Sequence, residues 1–116
     1  MTSLLSIDSV QLPFLSRRLH AVREFYHRVI GLDEMPTQGD QRLLFSLGDA
    51  TLSLSPVHEL SGGVKPDYLA LKTRAYDEIL ARLRQAGHFP VCSKPDASPR
   101  VMYVKDPSGN QLAFLG

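Results

Sequence analysis

Tyr103-Val104-Lys105-Asp106-Pro107-Ser108-Gly109-Asn110 is the stretch on which the reading of this chain turns. Asp suits the first position of a tight turn, where its carboxylate can accept from a backbone amide. Pro presets the next φ, and Gly tolerates a positive φ afterwards. On the C-terminal side, Leu112 and Phe114 alternate with Gln111 and Ala113, the period of a strand with unlike faces. On the N-terminal side, 100–104 is a second extended piece. The turn therefore predicts a hairpin made of the last two strands.

Working outward, 67–73 alternates Leu69 and Leu71 with Tyr68 and Ala70, and Tyr76, Ile79, Leu80 and Leu83 recur at helical spacing. Asp77 and Glu78 open that helix, where the helix dipole favours acids. Gly87 closes it, and 89–93 is extended. The same order stands in the first half. Segment 4–12 is a strand, with Val10 and Leu12 alternating with Ser9 and Gln11. A helix follows, with Leu19, Val22, Tyr26, Val29 and Ile30 on one face and Gly31 placed for a left-handed cap. Extended pieces at 33–37, 41–47 and 50–55 come next, joined by Gly39-Asp40 and Gly48-Asp49. Segment 56–66, with two prolines and Gly62-Gly63, is the expected linker. Strand, helix and three strands, given twice, predict an α+β fold of two βαβββ modules at about 1–58 and 65–116, read as one domain and most simply as an internal duplication.

Composition removes several classes of function. The 116 residues are 43% hydrophobic and 22% charged with a formal net charge of +1, which gives no electrostatic pull toward nucleic acid or an anionic membrane. No apolar run approaches the roughly 20 residues of a membrane span. The first residues, MTSLLSIDSVQL, lack the basic start and long apolar run of a signal peptide. Cys92 is the single cysteine, so no internal disulfide can form, which suits a cytoplasmic setting.

Two stretches carry a resemblance to a known family. Phe25-Tyr26-His27-Arg28-Val29-Ile30-Gly31-Leu32 is similar to the FY-x-x-x-LG helix end of the vicinal-oxygen-chelate superfamily, the glyoxalase and bleomycin-resistance proteins. The 103–110 hairpin is similar to that superfamily's F/Y-x-x-DP-x-GN turn. Both occur in the right order around the right repeat. The resemblance implies paired modules curled into one cup-shaped sheet with helices outside, and a homodimer in which modules are sometimes exchanged between chains.

The alternation then assigns faces. Val10/Leu12, Leu52/Leu54, Leu69/Leu71 and Leu112/Phe114 are expected in the core. Ser9, Gln11, Ser53, Ser55, Tyr68, Ala70, Gln111 and Ala113 are expected to face the cup. Metal-dependent members of the superfamily hold a divalent ion with His, Gln or Glu on the first, fourth, fifth and eighth strands. The matching positions here are Ser9, Ser53, Tyr68 and Ala113. Hydroxyls, a phenol and a methyl group are poor donors for a divalent ion at neutral pH, so neither metal nor other cofactor is expected.

Other residues offer candidate chemistry. His20, Glu24 and His27 share a helix face at a spacing that could hold an ion, but that face points away from the apolar stripe and reads as solvated. Cys92 has only Lys94 near it in sequence and reads as a packed or half-buried thiol rather than a nucleophile. Arg42 alternates with Leu43, Phe45 and Leu47, and is either an anion clamp at the cup or a surface arginine. The ligand-binding candidates are thus Ser9, Gln11, Arg42, Ser53, Tyr68, Gln111 and Ala113, and no catalytic pair can be placed. The expected function is non-catalytic binding of a small organic ligand of neutral or weak charge, sequestering an antibiotic or a metabolite. The alternative is a lyase, isomerase or dioxygenase of the same superfamily. A purely structural or regulatory partner domain is a third reading that no feature singles out.

Overall fold

The computed structural model describes residues 7–37, 39, 41–59 and 68–116. Its elements run β1 (Ser9–Leu15), a 3-10 turn (Ser16–Arg18), α1 (Leu19–Arg23) continuing as a π-helical stretch (Glu24–Ile30), β2 (Glu34–Met35), β3 (Leu43–Leu47) and β4 (Ala50–Val57). The second half gives β5 (Tyr68–Lys72), α2 (Tyr76–Gln85), β6 (Val91–Cys92), β7 (Val101–Lys105) and β8 (Gln111–Leu115). The chain divides between Leu60 and Ser61 into two compact units. Each carries its own four-stranded sheet, in the orders β1-β4-β3-β2 and β5-β8-β7-β6. Among the described residues these are the two expected βαβββ modules, each with its own hydrogen-bonded sheet. In both, the first strand runs parallel to the last and the other pairs are antiparallel.

The first unit builds its core on the face carrying Phe14, Leu43, Phe45, Leu52 and Leu54, all buried with Val22, Phe25, Tyr26 and Ile30 of the helix. Tyr26 meets Phe45 at 5.6 Å between ring centroids, and Phe25 stands edge-on to Tyr26 at 5.1 Å. The expected helical stripe omitted Phe25 and gave Val29 a full place. The π-helical turn corrects this. Its wider winding advances each residue by a smaller angle, so Phe25 and Tyr26 straddle Ile30 while Val29 stays half-buried. Gly31 then ends the helix at φ 94°, in the left-handed region foreseen for it.

Two boundaries move. β1 extends to Leu15, beyond the expected end at 12, and residues 4–6 lie outside the described set. β4 extends through Pro56 and Val57, where the linker was expected to begin. Proline is tolerated there because the β3 pairing already stops at Leu43↔Leu54, so no ladder donor is needed on that side. Of the rest of that linker only 58–59 is described; 60–66, Asp67 of the fifth strand and Asp40 of the first turn also lie outside.

In the second unit Met102, Leu112 and Phe114 are buried together with Tyr76 and Leu83 of α2, while Leu69 and Leu71 are half-buried. The 106–110 turn forms as its sequence predicts. Asp106 Oδ1 accepts from the backbone N–H of Ser108 (2.8 Å) and Asn110 (2.9 Å), and Oδ2 accepts from Asn110 Nδ2 (2.9 Å). Gly109 takes φ 93° and its N–H donates to the Asp106 carbonyl at 2.9 Å. That turn fixes the register of β7 on β8, and with it which side chains share the open face.

Candidate functional site

The site candidates fall into two groups, one on each unit. On the first sheet Ser9, Gln11 and Ser53 share the face opposite the core, with Gln11 directly across from Ser53 in the β1–β4 ladder. Ser53 is buried, and its Oγ has no hydrogen-bond partner among the described residues. Arg42 is exposed and sits just before β3, so no ladder pairing fixes its face.

On the second sheet the register brings Tyr68, Gln111 and Ala113 to one face, as expected, and adds residues that were not foreseen. Tyr68 lies opposite Gln111, and Gln111 opposite Lys105, so a phenol, an amide and an ammonium stand side by side on three adjacent strands. In the next row Ala70, Ala113, Tyr103 and Val91 are aligned across all four strands. Tyr68 and Tyr103 are two strands apart, about 10 Å between backbones. Their ring centroids nevertheless stand 4.8 Å apart, with the rings inclined at 57°. The two rings therefore lean together across β8, where Ala113 presents only a methyl group. A larger side chain at 113 would occupy the space they share.

A hollow of about 480 Å³ lies on this face, lined by both tyrosines, Gln111 and Lys105 and walled by the 87–91 segment that leads into β6. Tyr68 is 53% exposed, Phe89 76% and Val91 72%. So much uncovered apolar area at one place marks a surface suited to contact, since single exposed apolar residues are ordinary but clusters are not. His88 also lines the hollow and is half-buried, its backbone N–H donating to the Leu83 carbonyl at 2.8 Å. The sequence held a signal for Tyr103 and Lys105, because they alternate with Met102 and Val104 in the strand beside the turn. His88 and Phe89 come from a segment without periodicity, and only the fold places them here.

A second cluster lies where α2 meets the start of β7. Arg100 pairs with Asp77 through two hydrogen bonds, of 3.0 and 3.3 Å, and its guanidinium lies 4.0 Å over the Tyr76 ring. The hydrogen bonds from Arg100 hold the Asp77 carboxyl below its usual range. Burial pushes the Tyr76 phenol up, with the neighbouring Cys92 thiol adding to the effect. Cys92 itself is exposed, contrary to the packed or half-buried thiol expected, because β6 is a two-residue edge strand that nothing covers within the unit.

The donors at the four positions matched to the superfamily's metal ligands do not fit a divalent ion. Ala113 has no donor atom, Tyr68 is engaged with Tyr103, and Ser9 and Ser53 offer neutral hydroxyls. Among the described residues no three His, Cys, Asp or Glu side chains come together to hold one. On α1 and the stretch that continues it, Glu24 pairs with Arg28 at 3.6 Å, and His27 Nδ1 is 2.9 Å from the Leu32 carbonyl, where only a protonated Nδ1 can donate. Both are thus engaged locally, as a solvated face predicts.

Solved structures share this architecture. A protein from Bacillus anthracis described as of the glyoxalase family superposes with a TM-score of 0.83 at 22% identity, covering 99% of this chain and 97% of that one. A glyoxalase/dioxygenase from Nostoc punctiforme gives 0.77 at 17% identity, over 99% and 97%. A lactoylglutathione lyase from Agrobacterium tumefaciens gives 0.73 at 19% identity, over 95% and 92%. No family model and no curated protein matches the sequence. The chain has the glyoxalase-like fold that its two motifs implied. No helix among the described residues is long and apolar enough to cross a membrane.

Proposed function

We infer that this is a metal-independent protein that binds a small organic molecule on the open face of its second sheet, in the cytoplasm, without turning it over. The observation that carries this reading is the Tyr68–Tyr103 pair held 4.8 Å apart over Ala113, beside Gln111 and a hollow of about 480 Å³. Two inclined rings with polar tips can stack a planar group, and an amide can orient its polar edge. None of these groups polarises a carbonyl as a metal would. On the first unit, Ser9, Gln11, Arg42 and Ser53 remain candidate ligand contacts in their own right, with the buried Ser53 hydroxyl as a donor awaiting an acceptor. The ligand is an antibiotic or a metabolite that the protein sequesters.

The test is calorimetric titration against a cell metabolite extract and an antibiotic panel, with native mass spectrometry to identify what stays bound. Tyr68→Ala should weaken binding by about 0.5–1.5 kcal/mol, several-fold in affinity, and leave the fold intact because the side chain is largely exposed. Binding that is unchanged in both Tyr68→Ala and Tyr103→Ala would place the ligand elsewhere.

His88 favours a second reading, a glyoxalase-like lyase or isomerase. Its imidazole lines the hollow, and an imidazole is the usual group for moving protons near neutral pH. Turnover that survives chelation and is lost in His88→Ala would establish it over simple sequestration.

A further inference from the structure

The charge of the hollow narrows the class of ligand. Among the described residues its lining carries one cationic side chain, Lys105, and no carboxylate. Lys105 is exposed, and it forms no ion pair among the described residues. The neighbouring Asp106 is buried and accepts from Ser108 and Asn110 inside the turn, and it does not line the hollow. Among the described residues Lys105 is therefore a cation lining the hollow without an ion-pair partner.

Position adds to charge. Tyr68, Gln111 and Lys105 form one row across β5, β8 and β7, so the ammonium lies at the far end from the Tyr68 ring, with Gln111 between. The backbone span of that row is about 10 Å, the length of a two-ring aromatic with one polar substituent. A planar ring laid against the exposed side of the tyrosine pair would direct such a substituent past Gln111 toward the ammonium.

We propose that the hollow takes a planar aromatic anion, a carboxylate on a fused or extended ring system, with the Tyr68 and Tyr103 rings receiving its face and Lys105 pairing with its carboxylate. The proposal rests on the binding reading above and sharpens it from a neutral or weakly charged ligand to a monoanion.

Two probes of equal size separate the possibilities. 2-Naphthoate and its neutral amide, 2-naphthamide, are titrated into the full chain by NMR, following Tyr68, Tyr103 and Gln111, with affinities taken from calorimetry. Both should shift the same resonances. Naphthoate should bind about two- to fivefold tighter, the scale of a partly exposed ion pair, and the advantage should shrink as salt is raised. Lys105→Gln, a substitution at an exposed position, should abolish the advantage and keep naphthamide binding unchanged. Equal affinities in the wild type would overturn the anion, and a preference that persists in Lys105→Gln would overturn Lys105 as its partner; either result leaves the binding site standing. Absence of any shift at the three residues would overturn the site and the anion together. Loss of the ligand-induced shifts as protein concentration is raised would mean that a second copy covers this face, and would also overturn the proposal.

Discussion

Asp106 is the residue on which most local geometry depends. It is buried, and three hydrogen bonds converge on its two carboxylate oxygens. Hydrogen bonds to an ionised group contribute more than neutral ones, and removing the acceptor leaves buried donors unsatisfied. Asp106→Ala should therefore destabilise the chain by about 2–3 kcal/mol, measured by urea unfolding, with the loss reported by the β7–β8 hairpin first in hydrogen exchange. The turn was fully legible in sequence because its chemistry is local: each of Asp106, Pro107 and Gly109 has a preference that needs no tertiary partner. Lys105, one residue away, shows the opposite case. Its strand phase could be read from Met102 and Val104, but its lack of an ion-pair partner among the described residues is a property of the fold. The donor chemistry at Ser9, Ser53, Tyr68 and Ala113 leads to a second expectation at this scale. Tag-free protein, dialysed and assayed by elemental analysis, should carry well below one equivalent of a divalent transition metal. A stoichiometric metal would sink the metal-independent reading.

At the scale of elements, the helices and the edges depart from what periodicity foretold. The second helix keeps its expected stripe, with Tyr76 and Leu83 buried and Ile79 and Leu80 half-buried. The first does not, because the switch to wider winding after Arg23 re-aims its last turns, and a 3.6-residue template has no means of foreseeing that. The exposure of Cys92 was equally illegible, since it follows from β6 being only two residues long. Where α2 meets β7, the pairing of Asp77 with Arg100 gives a pH expectation. The carboxyl is held below its ordinary range in the folded chain, so the pair contributes stability above the unfolded-state value. That contribution is lost as pH falls through the lower folded-state value. Asp77 is exposed, so the effect is small. Asp77→Asn should lower the melting temperature slightly near neutral pH, and the gap from wild type should close in strongly acidic buffer. A gap that persists in acid would assign the effect to packing of Arg100 on Tyr76 rather than to charge.

At the scale of the whole molecule, the repeat was legible because each unit restates the same order of strand, helix and three strands, and each strand's partner follows from that order. The association of copies is a matter of what the units leave uncovered. In the second sheet β6 is an edge of two residues, and an open edge invites pairing with another chain. Val91 on that edge and Phe89 beside it are 72% and 76% exposed, apolar area that favours burial against a partner. A two-fold axis would let the same edge serve both copies, and closed two-fold pairing is the commonest symmetry among soluble oligomers. The protein should therefore be a homodimer whose contact runs along Phe89 and Val91, which also wall the hollow, so that the second copy borders the ligand face. Sedimentation equilibrium at high micromolar concentration should return the mass of two chains. Phe89→Asp with Val91→Asp should return one chain with an unchanged circular dichroism spectrum, since both side chains are exposed in the unit. A wild-type protein that stays monomeric under those conditions would rule the dimer out, and a double variant that stays dimeric would move the contact to another edge.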